Sequence, residues 1–118
     1  MKTSSAKAKG RKLQNWVRDQ LISIFQELNA DGLDLREEIT TAIMGEKGED
    51  VKLSSSVRHL FPFSIECKNQ EKFTSIYNIM DQAKSHNDYE PLAFIKMNNK
   101  KPLIILDAEY FMKLYHHE

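Results

Sequence analysis

Three residues of this chain have types and spacings that can do chemistry together: Asp50, Glu66 and Lys68. The run Phe63-Ser64-Ile65-Glu66-Cys67-Lys68 alternates apolar and polar residues in the two-residue period of a half-buried strand. Phe63, Ile65 and Cys67 then face one way, and Ser64, Glu66 and Lys68 the other. An acid and a base two apart on a strand share a face, with Cβ atoms roughly 7 Å apart given a rise of ~3.3 Å per residue. Ionised groups beside a core must be paired or bind something. Asp50 opens a second alternating segment through Val51 and Leu53, which puts its carboxylate at a strand end beside Glu66. Two carboxylates converging near a lysine are the ingredients of a magnesium site aimed at a phosphate. Hard oxygen ligands hold the ion, the ion polarises the phosphoryl oxygen and acidifies a water, and the ammonium stabilises the developing negative charge. The spacing leaves a second reading open, a salt bridge across a strand edge. Asp50-Val51-Lys52 also matches acid-x-lysine.

A wider set of residues carries a resemblance. Gly48-Glu49-Asp50, a serine-rich turn, Arg58, Phe61-Pro62-Phe63-Ser64-Ile65-Glu66-Cys67-Lys68-Asn69 and Gln82-Ala83 resemble the PD-(D/E)xK nuclease superfamily. Within it they look most like the archaeal-type Holliday junction resolvases and their small phage-encoded relatives. The similarity covers roughly residues 9–115, and the run from Phe61 to Lys68 is its specific part. It implies a restriction-endonuclease-like α/β fold, a mixed β-sheet flanked by helices. It also implies that Asp50 and Glu66 bind Mg2+ (Mn2+ substituting), with the main-chain carbonyl of Cys67 as a further ligand, and that Lys68 completes the catalytic set. The family carries a glutamate on its first helix after a Lys-Gly pair. Here Lys9-Gly10 is followed by Gln14 at that position, which brings a carbonyl able to hold a water but no charge. The implied activity is structure-selective cleavage of four-way DNA junctions by metal-activated water, carried out by a homodimer whose two-fold matches the junction's symmetry. The alternatives are another nuclease of the superfamily (nicking, end-processing or restriction) or a non-catalytic DNA-binding protein on the same fold.

Length and composition set the frame for that reading. The chain has 118 residues, 41% apolar and 29% charged, which suits one globular domain. Net charge is zero and the pI about 6.9, but the distribution is uneven. Residues 1–18 carry Lys2, Lys7, Lys9, Arg11, Lys12 and Arg18 with no acid, leaving the rest net acidic. Residues 1–8 are expected to form a mobile basic arm ahead of a domain at 9–118, either for a polyanion or as a solubilising tail. The residues expected at DNA are Lys9, Arg11, Lys12, Lys47, Ser54, Ser55, Arg58, Lys72 and Gln82. One cysteine excludes an internal disulfide. No apolar run approaches a membrane span and no signal segment is recognisable, so the expected setting is cytoplasmic, that of the host cell if the chain is phage-encoded. His59, His86, His116 and His117 offer no zinc spacing with Cys67. Cys67 should face the core, so thiol catalysis is not expected.

The elements that must position these groups follow from periodicity. Leu13, Trp16, Val17, Leu21, Ile24, Phe25 and Leu28 recur in steps of three and four, predicting an amphipathic helix from about Gly10 to Asn29-Ala30-Asp31-Gly32, with Trp16 and Phe25 in the core. Leu33–Met44 is ambiguous, with Asp34 a candidate cap for a short helix through Ile43. Met44–Glu49 reads as a glycine-bracketed loop that lets backbone turn tightly or approach DNA. Ser54-Ser55-Ser56 reads as a turn, its hydroxyls available to phosphates or simply polar. A second helix follows Asn69-Gln70-Glu71, burying Phe73, Ile76, Tyr77, Met80 and Ala83, with Lys72, Gln82 and Lys84 on its other faces. Leu92–Met97 and Leu103–Leu106 read as strands joined through Asn98–Pro102, and Asp107 caps a last helix. A helix between strands predicts a βαβ unit in a mixed sheet. Leu60, Phe61 and the last helix are candidates for a dimer seam.

Overall fold

Leu13, Val17, Leu21 and Phe25 recur every four residues and form the buried stripe of α1 (Lys2–Glu27). The computed structural model describes residues 2–28, 32–43 and 45–116. After α1 come α2 (Leu35–Glu38), β1 (Ile39–Thr41), β2 (Val51–Leu53), α3 (Ser55–Leu60), β3 (Phe63–Asn69), α4 (Ile76–Ser85), β4 (Glu90–Lys96), β5 (Leu103–Leu106) and α5 (Ala108–Leu114). The strands form one open mixed sheet in chain order, β1-β2-β3-β4-β5. β1, β2 and β3 are antiparallel neighbours, β3 and β4 are parallel, and β5 returns antiparallel to β4. The expected βαβ unit is β3-α4-β4.

Strand alternation sorts the sheet into two faces. Ile65 and Cys67 pack with Val51, Leu53 and Ile39 beneath α1. Ser64, one residue out of phase, points the other way, and its hydroxyl donates to the Ala83 carbonyl of α4 at 2.7 Å. Helices therefore cover opposite faces of β3, and Glu66 shares the α4 face with Ser64. The register places Ala93 of β4 beside Glu66. Both are buried, so the carboxyl group lies against a small apolar neighbour.

Several expectations change. Residues 2–8, read as an arm, are helical and continue α1. The helix expected from Leu33 through Ile43 stops after four residues. Asp34 does cap it, accepting from the Arg36 amide at 3.1 Å. Ile39-Thr40-Thr41 then pairs with Val51–Leu53 as a strand, because β-branched residues lose rotamer freedom in a helix and fit a pleated sheet. The serine run is not a plain turn: Ser54 caps α3, its hydroxyl accepting from the Val57 amide at 3.3 Å. α4 starts only at Ile76, so Phe73 and Lys72 precede it, and its buried residues are Ile79 and Ala83 while Ile76 and Tyr77 are exposed. Trp16 is 43% exposed rather than core. The four-residue stripe, not the three-residue step from Leu13, is what lies against the sheet.

Asp107 caps α5 as expected, accepting from the Tyr110 amide at 2.9 Å, but α5 buries no residue. Asn29, Ala30, Asp31, Met44 and His117, which figured in the helix-end, loop and tail readings, lie outside the described residues.

Candidate active site

Asp50 sits one residue before β2, and two backbone bonds fix it. Its amide donates to the Ile65 carbonyl at 3.0 Å, and its carbonyl accepts from the Ala42 amide at 2.9 Å. Its side chain crosses to β3, where Oδ2 accepts from the Cys67 amide at 2.8 Å. That bond ties the Asp50 carboxylate to the residue between Glu66 and Lys68. The preceding loop needs its glycine: Gly48 has φ +106°, and an added Cβ would lie 2.9 Å from Lys52 Nζ. Lys52 Nζ is held there by the Lys47 carbonyl at 3.1 Å and by Glu46 at 3.5 Å. The second acid-x-lysine match is thus engaged in the loop.

Glu66 is 1% exposed. Burial first, and then the charge and carboxyl contact of Asp50, push its carboxyl up to about 8, against the pull of Lys68. Oε1 lies 2.8 Å from His86 Nε2, while Oε2 is buried and, among the described residues, meets no N–H or hydroxyl partner; the Asp50 carboxyl lies against the Glu66 carboxyl. A buried acceptor left unmatched next to a second carboxylate is what a cation would satisfy. Burial also pushes the Cys67 thiol up, and the side chain lies in the α1 core, leaving only its main chain for the site. Among the described residues no cluster of three or more His, Cys, Asp or Glu side chains could hold a metal ion. The donor set is two carboxylates plus backbone carbonyl, chemically suited to a hard divalent cation.

Gln14 reaches the site from α1. With Lys7, Arg11, Asp50 and Glu46 it lines a cavity of about 280 Å3. Two cations and a carboxamide therefore border Asp50, a composition fit for a phosphate. At the end of α4 a part-buried set of polar side chains lies near Glu66. His86 closes the helix, and the next residue, Asn87, donates to Glu49 Oε2 at 3.1 Å. Glu49 is itself buried and accepts from Arg58 Nη2. Arg58 also donates to the Phe63 carbonyl at 3.1 Å and lies 4.5 Å over the Tyr89 ring.

The structure thus places Asp50 beside Glu66, whose carboxyl also feels Lys68, and lets Asp50 share a cavity with Gln14 and Arg11. It does not bring all the expected DNA contacts there. Arg58 is mostly buried and bound to Glu49 at the start of β3. Ser54 is a helix cap beside it, Ser55 is the exposed first residue of α3, and Lys47, Lys72 and Gln82 are exposed outside the cavity. Lys9 and Lys12 project from α1 into a neighbouring groove. His86 and Glu49 were not singled out from the sequence as site residues. Glu49 adjoins Asp50 in sequence, which was a usable signal; His86 meets Glu66 across twenty residues, which leaves none. Comparison of the chain with protein-family models, curated proteins and solved structures gave no match.

Proposed function

We propose that this chain is a Mg2+-dependent endodeoxyribonuclease of the PD-(D/E)xK type, with a restriction-endonuclease-like sheet, that cuts branched DNA, four-way junctions above all. The observation that carries the reading is the pairing of the Asp50 carboxyl with a sealed Glu66 whose Oε2 meets no N–H or hydroxyl partner among the described residues, one residue across Cys67 from Lys68. The mixed sheet flanked by helices is compatible with the implied fold. Asp50, Glu66 and the Cys67 carbonyl would hold the ion, which when bound supplies Lewis-acid polarisation of the phosphate and acidifies water. The protein's own groups do the rest. His86 fixes the Glu66 carboxyl through Oε1, and the Cys67 amide fixes Asp50. The Gln14 carboxamide orients a water by hydrogen bonding. Lys68 stabilises charge on the phosphoryl oxygens as water oxygen bonds to phosphorus and one ester oxygen leaves with a proton. Arg11 and Lys7 hold the neighbouring backbone.

The test is cleavage of an end-labelled four-way junction and a plain duplex, with Mg2+ and with excess chelator. Metal-dependent junction cutting is expected. Asp50→Asn and Glu66→Gln should lose it, and Lys68→Ala should lose ~10²–10³ in rate while still binding the ion. Cutting that survives chelation would remove the metal mechanism, and full activity in Lys68→Ala would remove the site. The neutral Gln14 favours one second reading, a DNA-binding protein without catalysis, for which wild type binds junctions and never cuts them. The reading extends to a homodimer, as the resemblance implies, and to a cytoplasmic setting, as the single cysteine and the lack of an apolar span suggest.

A further inference from the structure

On the other side of α1 lies a groove of about 520 Å3 that the catalytic reading does not use. Lys9, Lys12 and Trp16 line it from α1, Asn69 from the end of β3, and Lys96 and Asn98 from the end of β4. Among the described residues no acid lines it. It continues past Lys9, Asn69 and Asn98 into a second hollow of about 500 Å3, where one acid, Glu71, joins the lining. The floor is held by the β3-β4 ladder and by the Gln70 amide, which donates to the Lys96 carbonyl at 3.0 Å.

Three features point to one ligand. Trp16 is nearly half exposed on a helix that has an apolar stripe to bury, so its ring is offered to the groove. Lys9, Lys12 and Trp16 stand three and four residues apart and share one helix face. The Asn69 side chain has a buried Oδ1 that finds no hydrogen-bond partner among the described residues. An indole face flanked by lysines, with amides at the rim, is the chemistry that takes an unpaired nucleic-acid strand: bases stack on the ring and the cations follow the phosphates. Duplex DNA keeps its base faces covered and can offer this groove only its backbone.

We propose that the groove binds an unpaired segment of DNA, with a base stacked on Trp16 and adjoining phosphates on Lys9, Lys12 and Lys96. The inference rests on the nuclease reading for its polymer, and it gives that nuclease a means of recognising where strands separate. Asn69 follows Lys68 directly, and α1 borders both the groove and the Asp50 cavity. The groove and the cleavage site are therefore neighbours, with α1 between the groove and the Asp50 cavity.

Trp16 is the sole tryptophan, so fluorescence excited selectively in tryptophan, apart from the four tyrosines, comes from this groove. The full chain, in chelator so that nothing is cut, is titrated with an oligothymidylate of about eight nucleotides, a length within known single-strand site sizes. Anisotropy of a labelled oligomer follows binding independently. Quenching should accompany binding of the oligothymidylate and be absent with an abasic phosphodiester of equal length and with blunt duplex. Trp16→Ala should weaken oligothymidylate binding by about 5- to 100-fold, and Trp16→Tyr should restore most of it. Lys9→Gln combined with Lys96→Gln should reduce the salt slope by about 1.4.

Absence of binding, binding without quenching, equal quenching by duplex, or unchanged affinity in Trp16→Ala would each overturn the proposal. The nuclease reading fails separately. A chain that quenches and never cuts keeps the groove and loses the nuclease, and one that cuts junctions with normal Trp16→Ala affinity does the reverse.

Discussion

At the scale of single residues, Glu66 makes the protein's stability depend on pH. Its folded carboxyl titrates near 8, whereas the unperturbed group titrates near 4.5. Between those values the folded state keeps a proton that the unfolded chain has lost, so the contribution is complete below about 4.5 and disappears as pH rises through 8. Metal-free protein should therefore melt at lower temperature at pH 8 than at pH 5. Glu66→Gln, which cannot ionise and can still bond His86, should flatten that slope and exceed wild type at pH 8 by on the order of 4 kcal/mol. Added Mg2+ should raise the melting temperature of wild type at pH 8 and leave Glu66→Gln unmoved, because an ion that binds only the folded, ionised site stabilises it by mass action. Thermal melts across pH, with and without Mg2+, check both. A wild-type curve as flat as that of Glu66→Gln would mean the carboxyl is not sealed as the structure shows.

Among the elements, α3 separates a positioning role from a contact role. Ser54→Ala removes the hydroxyl that caps the helix and should cost ~1 kcal/mol in denaturant unfolding, with junction binding unchanged. Weaker binding at unchanged stability would instead make Ser54 the phosphate contact its sequence setting allows. The same segment shows why some elements were legible and others were not. β3 was readable because its alternation runs for six residues and both of its faces are used, one by the α1 core and one by Ser64 and Glu66. β5, the βαβ unit and the Asp107 cap were readable for similar local reasons. β1 was not, because three β-branched-rich residues follow Glu37-Glu38 inside what scans as a capped helix, and only pairing with β2 decides them. α3 was hidden by three serines, which signal a turn and a cap equally well. The proximity of Asp50 to Glu66 and to Gln14 was legible through motif and spacing. His86 and the exposure of Trp16 were not, since one depends on how α4 returns and the other on which edge of α1 meets the sheet.

For the whole molecule, the uncovered apolar residues bear on the proposed homodimer. Leu103 and Ile104 on the outer strand are exposed, as are Met112 and Leu114 on α5 and Tyr115 just after it. Phe61, one of the seam candidates, is instead occupied by ring contacts with Phe25 at 6.0 Å and Phe63 at 4.7 Å. An outer strand with an apolar edge is a place for a second copy to pair or pack. Ile104→Lys should turn a dimer into a folded monomer in sedimentation equilibrium and slow paired cutting of a junction more than single nicks. A wild type that sediments as a monomer at every concentration tested would remove the dimer.

The sheet order has a consequence for how the chain assembles. The strands lie side by side in the order in which they leave the ribosome, and the one parallel step is bridged by the helix made between its two strands. No late strand has to be threaded between two earlier ones. Each pairing closes a short loop against the neighbour just formed, so little chain entropy is lost before contacts repay it. The exception is α1, made first, whose stripe has nothing to lie on until β1, β2 and β3 have been synthesised. Its apolar face waits for roughly forty residues of further chain, about 2–8 s at ribosomal rates. That interval is when a nascent chain of this design is most open to chaperone capture.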